Sequence, residues 1–289
     1  MSNLVFKTPA SRAELISCLA AADPATYVLG GGTDLIIRMR DRGISDGTLI
    51  DITGVPGLDG IRLDGEFLRI GANVTYSNIC ESALVRGTAP CLAEMAQQIG
   101  STQIRNMARL PGNLANASPA GDSIATLMAL DARLCILNGR GEASIRKVDG
   151  LVTGIGKTTL QRDEVITEVL IPRPGPHQRS RYGKIGMGAR SQVVIANISM
   201  TMVLDLPPEG RIRGARIVVG SAAPMAYHAA GAEALLEGRI PDPQLAGELA
   251  EVMRAQVEAS IKGIAMFQHK LNDVQGLARD LCAGLFQEM

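Results

Sequence analysis

Tyr27-Val28-Leu29-Gly30-Gly31-Gly32-Thr33-Asp34 is the stretch on which the reading of the fold turns. Tyr27 to Leu29 make a short buried strand, three glycines follow at once, and Leu35 to Arg42 then have helical character. Glycine lets backbone N–H groups face outward and lets an anion approach with no Cβ in the way. A helix start just after the loop adds the positive end of its dipole. A phosphate suits such a loop. It is neither a P-loop, since Gly-Lys-Ser/Thr is missing, nor a spaced Gly-x-Gly-x-x-Gly, and a tight strand-to-helix turn explains the glycines equally well.

A second unusual segment is Leu110-Pro111-Gly112-Asn113-Leu114-Ala115-Asn116-Ala117-Ser118-Pro119-Ala120-Gly121-Asp122. Small residues alternate with amides and hydroxyls, a composition that can wrap closely around a ligand and offer it many hydrogen bonds. Asp122 can cap the helix that follows, or accept a bond from a ribose hydroxyl. Just upstream, Arg105 in Gln103-Ile104-Arg105-Asn106 can pair with a phosphate or sit in a surface salt bridge. Ser101 to Asp122 shows no clean periodicity and is expected to be irregular. A long irregular segment between strong apolar runs is usually functional.

Around these two segments the pattern mixes α and β. Helices are expected over 11–22, 77–85, 90–99 and 122–131, with Ser11 and Glu14 placed as in a capping box. Strands are expected over 48–52, 133–137 and 163–166, and a hairpin over 61–63 and 67–70. Pro172-Arg173-Pro174-Gly175-Pro176 is the best boundary, because no helix or strand crosses such a run. Beyond it, strands at 181–187, 194–204 and 212–219 precede helices near 228–237, 244–260 and 264–287. Strands first and helices last indicate an antiparallel sheet with helices on one side.

Composition removes several classes. With 289 residues, the chain fits two domains at about 100–200 residues each. Lys+Arg and Asp+Glu are both 29, so the basic excess of a nucleic-acid binder is missing. Four Tyr, four Phe and no Trp leave little for base stacking. No apolar run reaches the roughly 18 residues of a membrane span, and the N-terminus lacks the pattern of a secretory signal. The five cysteines have no Cys-x-x-Cys spacing, which argues for reduced thiols in a cytoplasmic protein rather than disulfides or a metal site. His177, His228 and His269 lie far from both loops and show no metal spacing.

Taken together, the Gly-Gly-Gly-Thr-Asp loop, Gln103-Ile104-Arg105-Asn106, Gly112-Asn113 and Asn116-Ala117-Ser118-Pro119-Ala120-Gly121-Asp122 resemble the FAD-binding medium subunit of the molybdenum hydroxylases. That family includes the flavoprotein subunits of carbon monoxide dehydrogenase and bacterial xanthine dehydrogenase. The resemblance covers essentially the whole chain, and Asp163-Glu164-Val165-Ile166 and the Lys184/Arg190 strand also fit. It implies an α+β fold. Residues 1–175 would be a two-subdomain FAD-binding module of the vanillyl-alcohol-oxidase type, split near 55. Residues 178–289 would be a smaller α+β C-terminal domain, an antiparallel sheet with helices.

The resemblance also implies roles. Tyr27, Val28, Leu29, Gly30, Gly31, Gly32, Thr33 and Asp34 would hold the FAD diphosphate through their backbone. Arg109, Leu110, Pro111, Gly112 and Asn113 would form the second flavin loop. Ser118 and Asp122 would bond the ribityl or adenosine portion, Ile166 would pack on the cofactor, and Lys184 would sit near the flavin ring. FAD would be held noncovalently. The molybdenum cofactor would belong to a large subunit and two [2Fe–2S] clusters to a small subunit, with a dimer of heterotrimers as the assembly. This chain would pass electrons from the clusters through FAD to an acceptor such as NAD⁺, a quinone or oxygen.

One position departs from the family pattern. The second loop usually reads Thr-Ile-Gly-Gly-Asn, and here Pro111 replaces the first glycine. Proline lacks the N–H, so a hydrogen bond of about 0.5–1.5 kcal/mol would be lost if that group faced FAD. This departure motivates a scaffold subunit that has lost FAD as an alternative. A stand-alone flavoenzyme is the other, although the N-terminal half offers neither a histidine for covalent attachment nor an obvious catalytic base.

Overall fold

The structure, a computed structural model, describes residues 3–186, 195–208, 210–261 and 268–287. The first part of the chain runs β1 (Asn3–Lys7), α1 (Arg12–Ala20), β2 (Thr26–Leu29), α2 (Leu35–Asp41) and β3 (Asp46–Asp51). Its three strands pair in parallel in the order β1-β3-β2. Ser11 accepts from the Glu14 N–H and the Glu14 carboxylate accepts from the Ala10 N–H, which fixes the start of α1. Leu15 and Leu19 then bury its inner face. The sequence reading left β1 unassigned. It is an edge strand exposed on both faces, so it carries no alternation to detect.

A second part follows with β4 (Ile61–Asp64), β5 (Phe67–Gly71), α3 (Tyr76–Glu81), α4 (Ala83–Thr88), α5 (Pro90–Gln97), α6 (Thr102–Arg105), α7 (Leu110–Asn116) and α8 (Asp122–Ala129). It closes with β6 (Arg133–Asn138), β7 (Ala143–Lys147), β8 (Val152–Gly154), β9 (Lys157–Thr158) and β10 (Glu164–Pro172). β4-β5-β10-β6-β7 form an antiparallel sheet whose inner residues, among them Leu68, Ile70, Leu134, Ile136, Val169 and Ile171, join the helices in one core. The expected single helix over 77–85 is two helices, because Ser82 takes an extended backbone and caps α4 through the Val85 N–H. The segment 101–122, expected to be irregular, contains α6 and α7. Both are too short to show an apolar period.

The third part comprises β11 (Gln178–Gly186), β12 (Ala196–Asp205), β13 (Ala215–Gly220), β14 (Tyr227–His228), α9 (Ala230–Leu236), α10 (Pro243–Ile261) and α11 (His269–Phe286). Its strands form an antiparallel sheet in that order. The α+β class expected from the sequence is what the chain adopts. Met187, Arg190 and Val194, and the start of the helix expected over 264–287, lie outside the described residues. The sheet has helices on both faces, not one. On β12, Ile198, Met200, Met202 and Leu204 face the core shared with α10 and α11, while Ser199, Thr201 and Val203 alternate toward the second part. There α8 covers them, α5 covers the neighbouring β11, and the Thr126 and Thr201 hydroxyls meet at 3.0 Å.

The outer face of the five-stranded sheet carries an ionic cluster. Glu168 bonds Arg62 at 2.7 Å and is also paired with Arg69. Burial opposes the charge of Glu168, but its bonds to Arg69 and Arg62 outweigh burial and hold the carboxyl below the usual range. The folded group therefore titrates below the unfolded one. Its contribution to stability is complete above the unfolded value, about pH 4.3, and is lost as pH falls through the folded value. In a thermal-melt series, Glu168→Gln is expected to melt below wild type above about pH 5 and to converge with it toward about pH 3. A gap independent of pH would show that the pair does not carry the effect.

Candidate cofactor site

The two segments singled out in the sequence meet. A Cβ on Gly31 would lie 1.8 Å from the Met107 carbonyl oxygen and 2.9 Å from Arg109 Nη1, so the two backbones touch where only glycine fits. Gly32 has φ +72, which favours glycine for a separate reason. Gly30 lies against the Arg109 side chain. Packing thus requires the glycine at Gly31 and backbone conformation the one at Gly32, whereas a Cβ on Gly30 would meet Arg109 only at 3.5 Å. The helix dipole adds little, because α2 has only seven residues and the Asp34 side chain makes no cap bond.

Arg109 occupies the junction. It precedes α7 in an extended conformation, and its half-buried guanidinium donates to the carbonyls of Asn73 (3.3 Å) and Met107. Burial lowers its pKa, with Asp51 opposing through space. Among the described residues no carboxylate contacts it. A desolvated cation bonded only to carbonyls, between two loops, is an electropositive seat for an anion. Asn73, in the turn just after β5, completes the junction. Its amide donates to Ile52 O (2.8 Å) and Thr53 O (3.3 Å), and its buried Oδ1 has no partner. Sequence reasoning missed both the side-chain role of Arg109 and Asn73 altogether. Nothing in their neighbourhood marks them, since Asn73 acts through carbonyls remote in sequence and Arg109 joins Asn73 O to its near neighbour Met107 O.

Pro111 is the second residue of α7 and is buried. A helix leaves its first N–H groups without internal partners, so proline removes no helical bond there, and its fixed φ suits the first turn. Proline is therefore compatible with the first turn of α7.

At the far end of the second segment, Asp122 does not cap the helix as its position allowed. Gly121 is the cap residue and Asp122 starts α8. Its Oδ2 instead faces Lys184 Nζ at 2.8 Å, with side chains only 5% and 3% exposed. Lys184 also donates to Gln98 O at 2.7 Å. An exposed strand lysine, the ordinary expectation for its place on β11, is thus replaced by a buried one. Asn113 Oδ1 is buried without a partner, and a Cβ on Gly121 would come within 3.2 Å of it, while Asp122 Oδ1 is buried in a carboxylate that faces the equally buried Tyr182 hydroxyl. Ser118 turns inward on its own loop, accepting from the Ala120 and Gly121 N–H groups.

Other expected residues fall elsewhere. Arg105 joins no salt bridge among the described residues and instead donates to the carbonyls of Ile99 and Gly100 in the turn after α5. Ile166 is buried in the second core beside a β-bulge on β10. Gly112 is exposed with open space around it, and Thr33 and Asp34 lie at the surface of the first loop. His228 pairs with Glu233 and His269 with Asn197.

This geometry can be set beside known proteins. Residues 2–174 match the model of the FAD-binding domain in molybdopterin dehydrogenase, and residues 186–281 that of the C-terminal domain of the carbon monoxide dehydrogenase flavoprotein. The chain belongs to the FAD-binding medium subunits of the molybdenum hydroxylases. It is 30% identical to the nicotine 6-hydroxylase medium subunit of Paenarthrobacter nicotinovorans, over 95% of this chain and 94% of that one. To the xanthine dehydrogenase FAD-binding subunit of Escherichia coli O157:H7 it is 31% identical, over 76% and 74%. A carbon monoxide dehydrogenase structure from Hydrogenophaga pseudoflava, lacking the Mo-pyranopterin moiety of its molybdenum cofactor, superposes with a TM-score of 0.87 at 25% identity. It covers 99% of both chains. Among the described residues no helix of this medium subunit is long and apolar enough to cross a membrane.

The residues present fit FAD. An anionic diphosphate suits the desolvated Arg109 between the glycine loops, and hydroxyl donors suit the unpartnered oxygens of Asn73 and Asn113. Two substitutions separate packing from conformation. Gly31→Ala is expected to cost about 2 kcal/mol or more, because the Cβ meets backbone that cannot move aside. Gly112→Ala in the exposed turn of α7 is expected to gain about 0.5 kcal/mol. Thermal melts of the two variants check this, and equal losses would refute the loop contact.

Proposed function

We propose that this medium subunit holds one FAD noncovalently across the junction of its two loops and relays electrons through it. The electrons would come from [2Fe–2S] clusters of a small subunit, and the complex would include a large subunit carrying the molybdenum cofactor. The observation that carries the reading is Arg109, half-buried between the loops and bonded only to carbonyls, beside buried oxygens that still lack donors. FAD supplies the exchange between one-electron donors and an external acceptor such as NAD⁺, a quinone or oxygen.

The chain's own residues bind and orient. The backbone of 27–34 and of 109–113 would border the diphosphate. Arg109 would offer it charge, and Asn113, Ser118 and Asp122 would address the ribityl or adenosine part. Lys184 enters this reading through Asp122. By pairing with one carboxylate oxygen at 2.8 Å it fixes the orientation of the carboxylate in a buried place. Ile166 would back the cofactor from the core. We further propose a division at 172–176 into a FAD-binding part, 1–175 with two subdomains meeting near 55, and a C-terminal part, 178–289. A dimer of heterotrimers in a reducing compartment suits a chain whose five cysteines are all free. Burial pushes the thiols of Cys91 and Cys282 up to about 12, so both stay protonated.

Titration of the purified chain with FAD, followed by flavin absorbance and thermal shift, tests this. About one FAD per chain is expected. Arg109→Leu should weaken binding about ten- to a hundredfold, the loss of a charge-assisted bond. Pro111→Gly should change affinity by less than about tenfold, since a single neutral N–H is at stake. A chain that neither takes up FAD nor gains stability from it would overturn the reading, as would an Arg109→Leu variant that binds like wild type.

A further inference from the structure

The loop from Ser118 to Asp122 is gripped from behind by the third sheet. β13 ends at Gly220, and Ser221 follows with φ 62, left-handed backbone that a residue bearing a Cβ adopts at a cost. From that conformation its N–H donates to Pro119 O at 3.2 Å, and its hydroxyl lies 3.4 Å from the same oxygen. The turn is in turn held by the helix pair behind it. Lys270 of α11, buried, donates its ammonium to the Ser221 carbonyl, and the Ser260 hydroxyl of α10 lies 3.1 Å from the Ala222 carbonyl, its single proton shared with Val257 O at 2.7 Å on its own helix. Burial lowers the Lys270 pKa and the charge of Asp273 opposes this.

Strain converges on the same loop from its other end. Ala117, just before Ser118, has φ 48, and its carbonyl accepts from the Gly156 N–H at 3.0 Å. Among the described residues only Ala117, Asp131 and Ser221 are non-glycine residues with left-handed backbone, and two of the three flank Pro119. Asp131 sits in a partly exposed turn bonded to Lys147, where an aspartate is tolerated. Strained backbone persists only where its surroundings over-determine it, and a buried ammonium with a serine on the neighbouring helix does that for Ser221.

We infer that Ser221, Lys270 and Ser260 form a strut of positioning residues that transmits the placement of α10 and α11 to the Ser118–Asp122 loop, and through it to the cofactor. The last step rests on the FAD reading, whereas the strut itself does not. A displacement of the C-terminal helix pair would reach Pro119 through three bonds, with no side chain of that pair touching the ligand.

The test is amide hydrogen exchange on the full chain, with and without FAD, for wild type, Lys270→Met and Ser260→Ala. Reporter amides are Ser221, bonded to Pro119 O, and Ala120 and Gly121, bonded to Ser118. Lys270→Met is expected to speed exchange at all three by about tenfold or more while the buried α5 amides stay unchanged. Ser260→Ala should act in the same direction by about threefold, and serves if Lys270→Met does not fold. The positioning role further requires Lys270→Met to raise the FAD Kd about tenfold and to change the circular dichroism of the bound flavin. A purely structural loss would leave that signature unmoved. Unchanged exchange at the three amides in both variants overturns the strut. Faster exchange with unaltered flavin binding and dichroism overturns its role toward the cofactor. Faster exchange in a chain whose wild type takes up no FAD upholds the strut and removes the FAD reading instead.

Discussion

A lysine and an aspartate facing each other at 2.8 Å, both side chains almost wholly buried, tie the second part of this chain to the third. Removing two charges from water costs several kcal/mol per ion in a protein interior, so such a pair adds little net stability over an apolar contact. Its importance is the penalty for separation. With Asp122 at the head of α8 and Lys184 on β11, any sliding of the third sheet against the helices would leave one ion buried alone. Glu94 reinforces the same register, accepting from Arg181 at 2.9 Å and from the Tyr182 N–H at 2.8 Å. The loop from Asn113 to Asp122 is therefore anchored at its downstream end by an interaction that tolerates only one arrangement.

That anchoring needs close approach, and the composition permits it. A chain without tryptophan and with few other rings cannot build its core on large aromatics. Every residue of α8 is buried, in an alternation of Ser123, Ala125, Thr126 and Ala129 with larger apolar side chains. Small side chains let the helix lie close to β12 and β13, near enough for Thr126 to meet Thr201 and for Arg216 to reach the Ala129 carbonyl at 2.6 Å. A Cβ on Gly220 would come within 2.5 Å of Ser199 Oγ, so the same economy extends into the sheet. The sheet is buried on both faces, and the methionines of β12 fill the opposite side against α10 and α11.

Much of this was legible in the sequence. Caps, hairpins and the proline-rich run leave local signatures, and α1, β4–β5, α5, α8 and the strand-then-helix order were read from them. What escaped has a common cause. β1 and β7 are exposed edge strands without alternation, and α6 and α7 span too few turns for an apolar stripe to repeat, so no pattern existed to be found. In the site, the sequence named Gly31, Asn113, Asp122 and Lys184 but not what joins them. Asn73 acts through carbonyls remote in sequence, the Arg109 side chain joins Asn73 O to its near neighbour Met107 O, and Arg105, the more conspicuous cation, is spent on the turn after α5.

The glycines illustrate how motif and function separate. Gly31 is required because Met107 O would collide with any Cβ, and Gly32 because its φ is positive. Both requirements hold with no ligand in the argument, so a triple glycine after a strand marks a loop junction before it marks a cofactor. The ligand is announced by different features: a guanidinium desolvated without a carboxylate, and carboxamide oxygens buried with nothing to accept from. Each is a local deficit that folding alone leaves standing, since an unpaired buried polar group costs about 1–3 kcal/mol. Arg109 stands just before α7, Asn113 lies within it, and Asp122 starts α8 beyond the turn that follows, so the three line one stretch of chain. One extended, multiply charged and hydroxylated molecule lying along that stretch would satisfy the deficits of Arg109 and Asn113 together. A compact anion at the glycine loops would leave Asn113 unanswered.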